Sequence, residues 1–414
     1  IAVSDIEGLS KMEVKAYSSF AQSLVLLFVV GWYARLSDRW DRGTLFSRAT
    51  LFCISNMVIF WFLQPDFFIA KLPLTGILYY LWVGMFGVFV VAQFWTFCAD
   101  VYTDERGKRM LPFIAIGATS GAVAGSWLVD RLVGSGIVSI ESLLLIATVP
   151  LFVSIALVHK VEQREVHPAG LADEAITGKT PDAAEVPGET SIWSGARLVL
   201  VSRFLLLAAL VTLFTNWVNT NGENLLFRVV QEALATQARE QGISGERSLL
   251  EFVRDGTTAF YGNFFFWVNV VALLLQAFVA SRLLKYGGFA AILLILPVIA
   301  LMSYSVMALL PVLAVVKVMK IAENATDYSL NNTSRHVLWL PVSSAMRFRG
   351  KPAIDTLYVR LGDGLAALTV LIGVQLLALA TATFFAFNVL LVLCWLVAAV
   401  MLVKEHRRST EAAV

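Results

Sequence analysis

The residues best suited to chemistry crowd into one stretch late in the chain. Between positions 311 and 331 stand Lys317, Lys320, Glu323, Asn324, Asp327 and Asn331, in a run that is otherwise mostly apolar. At about 100° per residue these side chains share a helical stripe about 120° wide. Val318, Met319, Ile321 and Ala322 fall largely outside it. Lys317 and Lys320 suit a phosphate or carboxylate, and Glu323 or Asp327 suits a partner ion or a transported proton. The competing reading is an ion-pair ladder that only joins helices, or lysines whose stems lie along apolar surface while the ammonium reaches water. Ionisable groups inside a spanning helix are costly and are functional candidates by default. Lys320 and Glu323, the deepest of the set, are favoured on that ground.

A second set follows. Asp355, Thr356, Arg360 and Asp363 share a face about 140° wide by the same arithmetic. Arg360 is a permanent cation suited to bidentate contact with phosphate or carboxylate; a salt bridge to Asp355 or Asp363 is its structural alternative. In the first half, Asp100 closes a stretch bearing Phe89, Phe94, Trp95 and Phe97, aromatics whose spacing fits packing better than a stacking platform. The run Asn216-Trp217-Val218-Asn219-Thr220-Asn221-Gly222-Glu223-Asn224 is expected either to line an outer vestibule or to unwind and cap its helix. Gly117, Gly121 and Gly125 form a ridge that lets helices approach closely. The chain has no Walker-type loop, dinucleotide fingerprint or Ser/His/Asp constellation. Its three cysteines lie far apart within apolar runs and its four histidines lie at segment ends or in linkers, so no metal or cofactor is implied.

The elements that must carry these residues are membrane helices. Of 414 residues 58% are hydrophobic and 15% charged, with a mean hydropathy of +0.74. A soluble chain carries about 25% charged residues. A net charge of +2 without a basic arm argues against a nucleic-acid polymer as partner. With about 20 apolar residues needed per crossing, eleven spans are expected: 17–36, 49–65, 75–101, 110–130, 137–158, 198–220, 258–284, 288–310, 311–331, 352–379 and 381–403. Tight turns are expected at Pro311 and Thr381. Lys and Arg concentrate in alternate loops (Arg35, Arg39, Arg42 and Arg48; Arg106, Lys108 and Arg109; Arg282 and Lys285; Arg347, Arg349 and Lys351) and in the tail. Positive loops stay cytoplasmic, which places the C-terminus inside and Ile1 outside. A further helix is expected to precede Ile1, making twelve.

Residues 159–196 hold seven carboxylates among Pro, Gly and Ala, and are expected to be a flexible cytoplasmic linker. The division is then 1–158 as the N-terminal half and 197–414 as the C-terminal half. Residues 222–257, charged with both signs, are expected to form an extracytoplasmic insertion of one or two short amphipathic helices.

The two halves echo each other. Ala34-Arg35-Leu36-Ser37-Asp38-Arg39-Trp40-Asp41-Arg42-Gly43 has a counterpart in Ser281-Arg282-Leu283-Leu284-Lys285-Tyr286-Gly287. The first resembles the loop signature of the major facilitator superfamily, in which such acidic and basic residues pin a helix pair to its neighbours. The resemblance implies a gating loop at Asp38, Arg39 and Arg42. Asp100-Val101-Tyr102 with Arg106-Gly107-Lys108 is likewise echoed by Asp327-Tyr328 with Arg349-Gly350-Lys351. Parallel repeats about a central axis place a substrate near the midplane between halves.

Two blocks carry a narrower likeness. They are Phe94-Trp95-Thr96-Phe97-Cys98-Ala99-Asp100 with Lys108-Arg109-Met110-Leu111-Pro112, and Tyr328-Ser329-Leu330, Leu340-Pro341 with Arg349-Gly350-Lys351-Pro352-Ala353-Ile354-Asp355. On these the chain resembles the bacterial and plastid-type ATP/ADP translocases. The resemblance implies an all-α, major-facilitator-like bundle in two halves, exchange of nucleotides, no cofactor and a bacterial inner-membrane setting. Arg335-His336 stands where the family has a Lys-Glu pair. The expected function is therefore alternating-access transport of an anionic, nucleotide-like or phosphate-bearing small molecule by a monomer in the lipid bilayer. Lys317, Lys320, Arg360, Asp100 and Asn324 would contact the solute, while Glu323, Asp327, Asp355 and Asp363 would serve coupling or ion pairing. A proton-coupled carrier of another metabolite, peptide or siderophore-like compound is the alternative. A non-transporting scaffold or receptor is the third reading.

Overall fold

The computed structural model describes residues 10–37, 42–63, 75–101, 104–135, 138–140, 142–173, 192–243, 245–339, 342, 346 and 350–411. Among these the chain is helical and has no strand. In lipid each backbone N–H and C=O must be satisfied within its own segment, which leaves the helix as the default for long apolar runs. The helices are α1 (Lys11–Ser37), α2 (Arg42–Phe62), α3 (Thr75–Val101), α4 (Asp104–Gly134), α5 (Ser142–Asp173), α6 (Ile192–Val201), α7 (Arg203–Glu240), α8 (Glu246–Leu274), α9 (Ser281–Leu309), α10 (Leu313–Thr326), α11 (Asn332–Leu338), α12 (Lys351–Ala353), α13 (Val359–Leu371) and α14 (Thr381–Glu411). Wider π-helical turns join several of them, at Leu275–Ala280, Asp327–Asn331, Ile354–Tyr358 and Ile372–Leu376.

Among the described residues, six helical runs are both long and apolar enough to cross a bilayer: Gly43–Phe62, Ser142–Val161, Arg203–Glu240, Ser248–Leu309, Ile354–Leu376 and Thr381–Arg408. The run of 62 residues holds two of the expected spans, because Gly288 at φ 64° and ψ −166° breaks it. Only glycine takes that conformation without steric cost. The segment Leu313–Thr326 falls outside the six; Lys317, Lys320 and Glu323 lower its hydropathy. The tight turns expected at Pro311 and Thr381 are present, as Leu310–Val312 between α9 and α10 and as Leu377–Ala380 before α14.

Two expectations need correction. Residues 222–257 are no separate insertion of short helices. α7 runs unbroken for 38 residues, about 57 Å at 1.5 Å per residue, against a hydrocarbon core of about 30 Å. Glu, Gln, Ala, Leu and Arg are good helix formers, and no proline interrupts them. The helix stops where Gly242 adopts φ 70°. There Gly242 N–H donates to Arg239 O and Ile243 N–H to Ala238 O, both at 3.0 Å, the paired bonds of a glycine-terminated helix. The expected linker also begins later than 159, because α5 continues to Asp173, and α6 starts at Ile192. Residues 174–191 lie outside the described residues.

The chain divides into two compact units. The smaller comprises Leu24–Ser120 and Ser135–Gly188. Its described core centres on Phe46, Phe97 and Val158, with the Phe46 and Phe97 rings 6.0 Å apart. The larger comprises Ile1–Ser23, Gly121–Gly134 and Glu189–Val414, so residues from α1 and α4 join the second-half helices in one unit. Its main core draws Val218, Leu225 and Leu226 from α7, Phe264 and Val268 from α8, Tyr304 and Met307 from α9, Val316 from α10, and Phe385, Val392 and Trp395 from α14. The start of α1 is a capping box: Ser10 N–H donates to Glu13 Oε2 at 2.8 Å, and Glu13 N–H returns to Ser10 Oγ at 3.4 Å. Gln375 Nε2 donates to Glu13 Oε1 at 2.7 Å. Burial pushes the Glu13 carboxyl up, but the bonds from Ser10, Gln375 and Tyr17 outweigh it and hold the group below the usual carboxylate range.

Candidate ion-pair site in the larger unit

The α10 stripe faces protein. Lys320 is 0% exposed, and Glu323 and Asn324 are 3% each. Lys320 Nζ lies 2.9 Å from Glu323 Oε2 on its own helix and 3.5 Å from Glu223 Oε1 on α7. It also donates to Asn219 Oδ1 at 3.5 Å and sits 6.0 Å from the Tyr304 ring centroid. Tyr304 O–H donates to Glu323 Oε1 at 2.9 Å and reaches Val218 O at 3.2 Å. Asn324 Nδ2 donates to Glu223 Oε1 at 2.8 Å. From α1, Lys15 Nζ donates to the main-chain oxygen of Glu223 at 2.7 Å. Two lysines and two glutamates thus gather on α1, α7 and α10, a formally neutral set at the centre of the unit.

The packing makes room for this cluster through one residue. A side-chain carbon added at Gly222 would overlap the Tyr304 hydroxyl and come within 2.8 Å of Lys320 Nζ. Around the ions lies a band of amides. Asn221 Nδ2 donates to Asn388 Oδ1 at 3.1 Å, and Asn388 Nδ2 donates to Val218 O at 3.4 Å. Because carbonyls and carboxylates only accept, these partners fix the amide orientations. Asn221 Oδ1, Asn224 Nδ2 and Asn324 Oδ1 are then buried without a hydrogen-bond partner among the described residues.

The other expected site residues are distributed as follows. Lys317 is half-buried one turn before Lys320, donating to Asn263 Oδ1 at 2.6 Å and lying 5.4 Å from the Phe260 ring centroid. Asp327 accepts from Asn331 Nδ2 at 2.6 Å, away from the cluster contacts above. Asp327 opens the π-helical turn Asp327–Asn331, in which each residue turns through less than 100°, so the register of the stripe changes beyond it. Arg360 Nη1 pairs with Asp363 Oδ2 at 3.1 Å, and Thr220 Oγ1 donates to Asp363 Oδ1 at 3.0 Å. Asp355 is exposed. Asp100 lies in α3 and Arg42 in α2, with side chains outside the described residues; Asp38 and Arg39 also lie outside them. Among the described residues the glycine ridge makes no packed contact. Gly117, Gly121 and Gly125 are exposed, and an added carbon at each meets no described atom within 4 Å.

The residues that sequence reasoning did not place in the site are Glu223, Asn219, Tyr304 and Lys15. Asn219 and Glu223 carry a usable signal, since four residues apart on one helix they share a face. The polar run around them does not unwind; it lies inside the continuous α7. Lys15 falls just before the first expected span, and Tyr304 is an ordinary residue of an apolar helix. Neither has a signal in sequence.

Four likenesses to known families and proteins bear on this arrangement. A family model described as TLC ATP/ADP transporter matches residues 73–406. ADP,ATP carrier protein 1 of Chlamydia pneumoniae is 28% identical over 129 residues, covering 26% of this chain and 25% of that protein. ADP,ATP carrier protein 1 of Chlamydia trachomatis is 26% identical over 125 residues, covering 25% and 24%. The chain thus spans about a quarter of the length of these curated relatives. A solved bacterial homologue of the human lysosomal transporter Spinster, inward-facing and unoccupied, matches with a TM-score of 0.50 at 13% identity, covering 97% of this chain and 90% of that one. That likeness shows the major-facilitator-like fold. With its family model matched across both halves of the chain, the protein belongs to the TLC ATP/ADP transporter family.

Proposed function

We propose that this chain is a membrane transporter that exchanges an anionic, nucleotide-like or phosphate-bearing solute by alternating access. The observation that carries the reading is the Lys320–Glu323 pair, buried on α10 of a major-facilitator-like bundle with the half-buried Glu223 beside it. Burying ions is expensive, and a buried pair is often worth less to stability than an apolar replacement. Charges kept at such depth therefore point to a use other than holding helices together. Family membership supports this substrate class, since the relatives above are named ADP,ATP carriers.

In this reading an incoming polyanion competes with carboxylates for cations. Lys317, held by the neutral Asn263 amide and an aromatic face, has its charge most available. Arg360 and Lys320 release theirs only when Asp363 and Glu323 give way. Asn324 offers an amide beside Glu223, and Asp100 would act from the first half. Glu323, Asp327, Asp355 and Asp363 would balance charge while the site is empty. Uptake of labelled ATP into proteoliposomes, with and without trapped ADP, tests this. Stimulation by internal ADP, reduced at least about tenfold in Lys317→Ala, is the expected result; a tenfold loss corresponds to about 1.4 kcal/mol. No uptake by the full-length protein under either condition would overturn nucleotide exchange.

A further inference from the structure

We propose that the oxygen cage around Lys320 is a monovalent-cation site, filled in this protein by the tethered ammonium of Lys320 itself. An ammonium group and a bare alkali cation need the same things: several oxygens, negative charge and no competing water. The cage supplies Glu323 Oε2 at 2.9 Å, with Glu223 Oε1 and Asn219 Oδ1 each at 3.5 Å. The Tyr304 ring adds an electron-rich face 6.0 Å away. Gly222 faces the ammonium without a side chain, and a carbon added there would come within 2.8 Å of Lys320 Nζ.

A second observation points to a ligand beyond the existing bonds. Asn324 is 3% exposed, and its Nδ2 is committed to Glu223, leaving Oδ1 buried with no donor among the described residues. A buried carbonyl oxygen with nothing to accept is costly, and its amide is joined to the cage through Glu223 Oε1, the oxygen that also faces Lys320. Without Lys320 the cage would hold Glu223 and Glu323 against the single charge of Lys15, whose ammonium donates to the main-chain oxygen of Glu223. An alkali cation in the space vacated by the lysine stem would restore the balance. Use of such a site for coupling rests on the transporter reading; occupancy of the cage does not.

The test therefore reads binding and not transport. Purified full-length protein in detergent is melted in NaCl, KCl and N-methyl-D-glucamine chloride at equal ionic strength. The wild type should melt at one temperature in all three, its cage being already full. Lys320→Ala should melt a few degrees higher in NaCl or KCl than in the organic salt, saturably. Lys320→Ala combined with Glu323→Gln should lose that response. A folded Lys320→Ala that ignores the cation, or a double variant that keeps the full response, would overturn the proposal. If Lys320→Ala folds in no salt while Lys320→Met with Glu323→Gln folds, an alkali cation cannot replace the ammonium, and the proposal also fails. Any of these failures leaves ATP/ADP exchange by the wild type untouched.

Discussion

Two ion pairs in the larger unit share chemistry and sequence spacing but differ in environment. Lys320–Glu323 and Arg360–Asp363 are both three residues apart on a helix, with contacts of 2.9 and 3.1 Å. The first pair is 0% and 4% exposed at its side chains and is surrounded by a second carboxylate, a tyrosine and a ring of asparagines. The second is 24% and 14% exposed, and Thr220 donates to Asp363 from α7. The same local pattern thus yields a buried pair inside a larger network in one place and a partly exposed pair in the other. Burial and the number of helices converging on the pair set the cost of breaking it, and spacing alone does not.

Breaking the pairs one at a time should expose that difference. Lys320→Ala leaves two buried carboxylates short of a cation and should cost about 3–5 kcal/mol of stability, measured by unfolding of the purified protein in salt free of alkali cations. Gly222→Ala should come next. It forces Tyr304 or Lys320 out of place, an overpacking cost of about 1–3 kcal/mol, and should be visible in the same assay. Arg360→Ala should be the mildest, about 1 kcal/mol or less, as for pairs that water reaches. An Arg360→Ala loss as large as that of Lys320→Ala would remove the distinction. Equal and small losses would mean that water enters the Lys320 cluster.

Much of the fold was legible in the order of residues. Apolar runs near bilayer length and basic loops in alternation marked the spans. Leu310–Val312 and Leu377–Ala380 stand where the tight turns were expected. Lys320, Glu323 and Asn324 were legible as one face because 3.6-residue periodicity holds from Leu313 to Thr326. Periodicity changes at the π-helical turn that begins with Asp327, so the spacing that holds through α10 does not carry on to Asn331. The segment 222–257 was misread because charge was taken as the end of a helix, whereas Glu, Gln and Arg prolong one once it leaves the bilayer.

By itself, then, the sequence determined which segments are apolar enough to cross lipid and which polar side chains share a helix, because both depend on interactions local in the chain. Only the tertiary structure decided that Lys320 is shared by Glu323 and Glu223, 97 residues apart in the chain as Lys320 and Glu223 are numbered. It likewise brought Tyr304 from α9, Lys15 from α1 and Asn388 from α14 to one place. The reason is physical: a buried charge is satisfied by whichever groups packing brings within about 3 Å of it. In this bundle those groups come from helices far apart in sequence, and helical spacing on one segment carries no trace of them.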